Sequence, residues 1–173
     1  DKGAVLISQH ADSMGAPSAC EARNVPNVSY NGSTIDSCPN TFLVSSRIDW
    51  EPYFEYIINC VAKGETIAAD WTGTLATGSV VLTDINEAVA AKGPKEAVEA
   101  AKKELEAGTL KVFDTSKFTV NGETLTEFLA DVDDMGDYVP ETNAISDGYF
   151  HESEYRSAPY FTIEIDGITR LDK

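Results

Sequence analysis

His10, Asp12 and Ser13 bring the three side-chain types of a hydrolase triad into four consecutive positions. In an extended backbone residues 10 and 12 share a face and residue 13 points away, whereas a triad needs its base between the nucleophile and the orienting carboxylate. The chain also has no G-x-S-x-G elbow and no phosphate-binding P-loop. Catalysis is the weaker reading of this cluster. The stronger one is positional: the apolar run AVLIS (residues 4–8) precedes it and the helix-compatible MGAPSACEARN follows. Ser8, Gln9, His10, Asp12 and Ser13 therefore fall where a parallel strand ends and a helix begins, the place where open α/β sheets bind ligands.

Other chemistry-bearing stretches give less. Asp131, Asp133, Asp134, Gly136 and Asp137 match a calcium loop at its first, third and sixth positions, but Met135 and Thr142 occupy the fifth and twelfth. The twelfth should be a bidentate Glu, so the stretch reads as a solvated acidic loop. His151, Glu152, Glu154 and Arg156 sit among aromatics in a segment read as folded down on the surface. The three cysteines, Cys20, Cys38 and Cys60, fit no zinc template and read as free buried thiols, with a Cys20–Cys38 bridge as the alternative in an oxidising compartment. No metal and no cofactor is expected. Trp71 reads as a core residue; Trp50, beside Arg47 and Asp49, is balanced between core and ligand-stacking roles.

The elements that must position these residues follow an α/β pattern. AVLIS has the continuous apolar run of a strand covered on both faces. A short helix capped by Asp12 or Ser13 ends near Asn24, and VPNVSYN is a second strand, which completes a βαβ unit. TFLVSSRI is a third strand. Asp49, Trp50 and Pro52 then start a helix that stops at Gly64, with Phe54, Ile57, Ile58 and Val61 as its core face. TIAADWTG and GSVVLTDI read as strands. GPKEAVEAAKKELEAG is a helix with Val98, Ala101 and Leu105 on one face and a Glu99–Lys103 pair on the other. A strand and a hairpin about Asn121-Gly122, a short helix from Thr124 leading into the acidic loop, and a final strand in APYFTIEIDGIT complete the reading.

With 173 residues the chain is long enough for one domain with a core or for parts of two lobes. Its net charge of -16 repels nucleic acid and anionic membranes, which excludes both as partners. From Thr115 onward thirteen acidic residues face four basic ones, a net of -9. No run approaches the ~18 apolar residues of a membrane span. No basic and apolar leader opens the sequence, which taken alone reads as cytosolic.

Together, VLISQHADSMG, VPNVSYNGS, FLVSSRIDWEPYFEYI and GPKEAVEAAKKELEAGTLKVF resemble the C-terminal half of the basic membrane lipoprotein (BMP, or Med-like) family of ABC-transporter substrate-binding proteins. The likeness runs from residue 3 to about 114 and more loosely through SDGYFHESEYRSAPYF. It implies a partial type I periplasmic-binding-protein fold, the C-terminal lobe with hinge-crossing segments, and a mostly parallel sheet flanked by helices. Residues 1–114 would be part of the binding fold, and 115–173 an acidic C-terminal extension ending in a strand. Helix 50–64 would belong with the other lobe, leaving its apolar face partly exposed and open to a fragment dimer.

The resemblance also implies a function: a non-enzymatic solute-binding component that takes a purine nucleoside or related small molecule. The parent would be exported, lipid-anchored to the outer face of the cytoplasmic membrane, and coupled to permease subunits. That overrides the cytosolic reading. Carried over by position, the ligand-binding residues are Ser8, Gln9, His10, Asp12 and Ser13, then Asn31, then Arg47 and Trp50. Ser8 stands where relatives often have an aromatic and Ser13 where they have a glycine. Asn31 stands where they often have an aspartate that accepts from ribose hydroxyls, and an amide accepts more weakly than a carboxylate. Two other classes stay open: a sensory or interaction domain on the same fold, and an α/β hydrolase-type enzyme.

Overall fold

The computed structural model describes residues 3–132, 139–152 and 163–170. The chain divides into two compact units, residues 1–106 and 107–173.

The first unit is mixed α/β. Strands β1 (Ile7–Ser8), β2 (Asn27–Tyr30), β3 (Phe42–Ile48) and β4 (Val80–Leu82) form one sheet in the order β1-β2-β3-β4. The first three run parallel and β4 is antiparallel to β3. Helix α1 (Gly15–Arg23) links β1 to β2 and ends where Asn24 turns left-handed at φ 55. The β2–β3 crossover has no helix; turns closed by Cys38 N–H on Thr34 O and Phe42 N–H on Cys38 O carry it instead. Helix α2 (Glu51–Lys63) stops at Gly64, whose φ of 68 is a conformation that glycine adopts without strain. Helix α3 (Pro94–Glu106) follows β4.

Three sequence expectations change here. AVLIS is not a strand covered on both faces: only Ile7 and Ser8 pair, and Val5 is 83% exposed, because β1 is the outermost strand and has one neighbour. TIAADWTG forms no strand; its Trp71 packs on Tyr53 and Tyr56 of α2, with centroids 5.2 and 6.4 Å away, and Ala68 N–H donates to Tyr56 Oη. Of the four residues expected as the core face of α2, three are exposed and only Ile57 turns inward. Phe54, Ile58 and Val61 are each more than half exposed, whereas Tyr53, Tyr56 and Ile57 are half-buried and Cys60 is buried.

Smaller differences are local. No Asp12 or Ser13 side chain caps α1, whose N-cap is Met14. On α3, Val98, Ala101 and Leu105 share a half-buried face as expected, while the ion pair is Lys102–Glu106 at 3.9 Å. Cys20, Cys38 and Cys60 are free and buried, and burial raises the thiol pKa of Cys20 and Cys38. The large buried apolar side chain of this unit is Phe42; many of its other buried residues are small or polar, Ser29, Thr41 and Ser45 among them.

In the second unit, β5 (Leu129–Ala130) pairs antiparallel with β6 (Thr142–Asn143), and β7 (Ile145–Ser146) with β8 (Tyr149–Phe150). The core is Ala130, Ala144, Ile145 and Phe150, with Leu125, Phe128, Val132 and Ile163 packed against it. The hairpin at Asn121-Gly122 is present, with positive φ at both residues and reciprocal Val120–Glu123 backbone bonds. Asp166 pins it by accepting from Thr119 Oγ1 (2.6 Å), Gly122 N–H (2.8 Å) and Asn121 N–H (3.0 Å). The hydroxyl of Thr119 and the amide of Gly122 hold that carboxyl below its usual pKa. In place of the expected strand before the hairpin there is a single helical turn at Thr115–Lys117, and residues 124–132, where the short helix was expected to begin, form no helix. Residues 163–170 carry a turn rather than a strand. The earlier part of that expected strand, and Asp133, Asp134, Gly136 and Asp137 of the acidic loop, lie outside the described residues.

Candidate functional site

The parallel topology releases the chain from β1, β2 and β3 at one edge of the sheet. Ser8 ends β1 and Gln9 to Ser13 form the loop to α1; Tyr30 ends β2 and Asn31 follows; Arg47 and Ile48 end β3, with Asp49 and Trp50 next. Every ligand-binding residue suggested by the sequence is therefore on this carboxyl edge. The edge is stepped. Ser8 is level with Val28, which is level with Val44, so Ile48 lies four residues farther along, roughly 13 Å at strand spacing.

The loop after β1 is built by Gln9. Its Nε2 donates to Ala11 O at 2.6 Å and to Ser13 O at 3.2 Å, and its N–H donates to Val28 O at 3.1 Å. Gln9 thus shapes the loop with the amide that a ligand contact would use. His10 lies on Tyr30, rings 4.5 Å apart and 22° from parallel. Ser8, Asp12 and Ser13 are exposed. The His10–Asp12–Ser13 triad geometry does not form among the described contacts, and His10 is engaged instead with an aromatic ring.

Asn31 is exposed and left-handed at φ 62, with its N–H on Ser46 O at 2.7 Å. Asn and Asp tolerate that conformation better than other non-glycine residues. Gly32 N–H then donates to Ser45 Oγ at 3.2 Å, which fastens the turn to β3. Arg47 reaches Asp49 (Nη2 to Oδ2, 3.3 Å), and Asp49 Oδ1 accepts from Glu51 N–H at the start of α2. Trp50 is 57% exposed, which places it among surface aromatics, with Tyr53 and Phe54 rings about 6 Å away. Among the described contacts none joins the Arg47–Trp50 group to the 9–13 loop.

Two residues, one ending β2 at this edge and one beginning β2 beneath the β1 loop, carry no direct sequence signal of their part in it. Tyr30 was passed over as an ordinary strand residue, although an aromatic one place before Asn31 is well placed to reach the edge. Asn27 had no signal beyond being a polar residue at a strand start. It is fully buried, donating through Nδ2 to Ile7 O (3.1 Å) and Gln9 Oε1 (3.2 Å) and accepting from Ser29 Oγ (2.6 Å).

Elsewhere, an open groove of about 740 Å³ is lined by Val81, Leu82, Val98 and Leu105 with Lys95 and Lys102, and contains none of the predicted residues. In the second unit His151 is buried, stacked on Tyr149 at 3.8 Å, with Nε2 2.7 Å from Ser146 Oγ. Among the described residues no group of three or more His, Cys, Asp or Glu side chains could hold a metal ion, and no helix is long and apolar enough to cross a membrane. No protein-family model matches the chain, and no curated protein matches it.

Proposed function

We propose that this chain is the C-terminal part of an extracytoplasmic solute-binding protein of the basic membrane lipoprotein (Med-like) kind, on a type I periplasmic-binding-protein fold. Its parent captures a purine nucleoside or related small molecule and delivers it to the permease of an ABC transporter, itself lipid-anchored at the membrane. The observation that supports this reading is that the 9–13 loop, Asn31 and Arg47–Trp50 all follow the carboxyl ends of three parallel strands of one sheet. That edge is where such sheets take ligands.

The side chains suit the ligand class. The His10–Tyr30 pair and exposed Trp50 offer planar surfaces to a base. Asn31 offers an amide to sugar hydroxyls, and Arg47 is the cation of the group. The role proposed for this set is binding. Titrating the purified chain with guanosine, adenosine, free nucleobases and ribose, followed by ligand-observed NMR suited to weak binding, tests the proposal. Nucleosides are expected to show saturable binding that Tyr30→Ala weakens. Absence of binding by all of them to a folded sample would refute a nucleoside ligand.

The second reading, a sensory or interaction domain on the same fold, draws on the outward apolar stripe of Phe54, Ile58 and Val61. Large exposed apolar stripes mark contact surfaces.

A further inference from the structure

Asn27 stands at the centre of a line of hydrogen bonds whose direction is fixed by its ends. Gln9 Nε2 is a donor only, and it donates to Ala11 O and Ser13 O. Its Oε1 accepts from Asn27 Nδ2 at 3.2 Å. The opposite atom, Asn27 Oδ1, accepts the Ser29 hydroxyl proton at 2.6 Å. With its proton committed there, Ser29 Oγ accepts from Thr34 Oγ1, 3.0 Å away. Every donor therefore points the same way, from Thr34 through Ser29, Asn27 and Gln9 to the backbone of residues 11 and 13.

The line begins in the turn after Asn31 and ends in the loop after β1, the two flanking segments of the candidate site. Its middle is sealed from solvent, with Asn27 at 0% and Ser29 at 2% exposure. Buried hydrogen bonds in sequence polarise one another, and a buried polar atom that loses its partner is costly. If Gln9 swung away, Asn27 Nδ2 would keep Ile7 O alone of its two acceptors, and if Thr34 swung away, Ser29 Oγ would keep only its bond to Asn27 Oδ1, so movement of either loop weakens the buried middle of the line.

We infer that Asn27 is a positioning residue that sets the shape of the 9–13 loop and, through Ser29 and Thr34, ties that shape to the 31–34 turn. Asn27 touches no ligand in this arrangement. Its effect on binding is exerted by holding Gln9 in the rotamer that gathers Ala11 O and Ser13 O. The two loops then act as one preorganised unit.

The test is amide hydrogen exchange on the full chain, read by mass spectrometry, with two variants. Asn27→Asp puts an oxygen against the two acceptors Ile7 O and Gln9 Oε1, and exchange in the 9–14 segment, where the Gln9 N–H is held by Val28 O, should rise about tenfold, the loss of about one hydrogen bond. Thr34→Val removes one hydroxyl at the far end and should raise exchange in that same segment, with Thr34→Ser restoring it. A merely structural role would loosen β3 and the turn at Thr34 but leave residues 9–14 unchanged in Thr34→Val, and that result overturns the inference. If Asn27→Asp fails to fold, the Thr34 pair still decides.

A second readout rests on the nucleoside reading above: Thr34→Val should weaken guanosine binding severalfold and Thr34→Ser should not. If the wild-type chain binds no guanosine, that reading fails while the exchange result still decides the role of Asn27.

Discussion

Glu21 ties helix α1 to the segment before β3 with one carboxylate. Thr41 Oγ1 donates to it at 2.8 Å, and both the backbone N–H and the side-chain amide of Asn40 donate as well. Burial acts to raise this carboxyl's pKa, but the hydrogen bonds from Thr41 and Asn40 together outweigh it, and the net shift is downward. A depressed folded-state value means that the carboxylate contributes stability above the unfolded value, about 4.3 for Glu, and loses it as the pH falls through the folded value. Glu21→Gln should therefore melt below wild type at pH 7, and the gap should close as the pH drops below about 4.3. Thermal melts of both proteins between pH 7 and 3 check this; parallel curves throughout would show that Glu21 has no linked proton. The same residue shows what a one-dimensional reading cannot see. Nothing in its sequence position announces partners nineteen and twenty residues away, just as nothing announced Asn27. Both lie at contacts made only after the sheet has formed.

Helix α2 was legible in extent but not in orientation. Pro52 in the first turn and Gly64 at the end fixed its limits in the sequence, because each residue's backbone preference is local. Which flank faces inward is not local. Phe54, Ile58 and Val61 belong to the more apolar flank, so periodicity puts them with Ile57 in a core; the covered side instead carries Tyr53 and Tyr56, packed on Trp71, with half-buried Ile57 and buried Cys60. β1 failed for a related reason: AVLIS has the composition of a central strand, and only its place in the strand order makes it an edge. The carboxyl-edge position of the candidate residues, by contrast, was readable, because strand, helix and strand in succession already determine which ends meet. Stability measurements can separate the two flanks of α2. Ile58→Glu should change unfolding free energy by no more than about 0.5 kcal/mol, as surface substitutions do. Phe42→Ala, in the buried set, should cost about 3–5 kcal/mol. A large loss from Ile58→Glu in denaturant titration would mean that its flank is covered in solution.

Across the molecule, 29 acidic against 13 basic side chains give a net charge of -16, and few ion pairs offset it among the described residues. Like charges at this density oppose compaction, and salt screens them within a Debye length of about 10 Å at 0.1 M. The melting temperature should rise as sodium chloride goes from low to physiological concentration; a flat or falling response would show that local pairs outweigh the global repulsion. Such a field also slows the approach of any anion, which favours uncharged solutes over nucleotides at the candidate edge.

The three free cysteines lend themselves to another use. Each is buried in a different part of the first unit, Cys20 in α1, Cys38 in the crossover and Cys60 in α2. A thiol reagent attacks the thiolate, and burial suppresses both access and, for Cys20 and Cys38, ionisation. Modification therefore waits on local opening, so the order in which the three are alkylated is a native stopwatch for which segment breathes first, without any introduced probe.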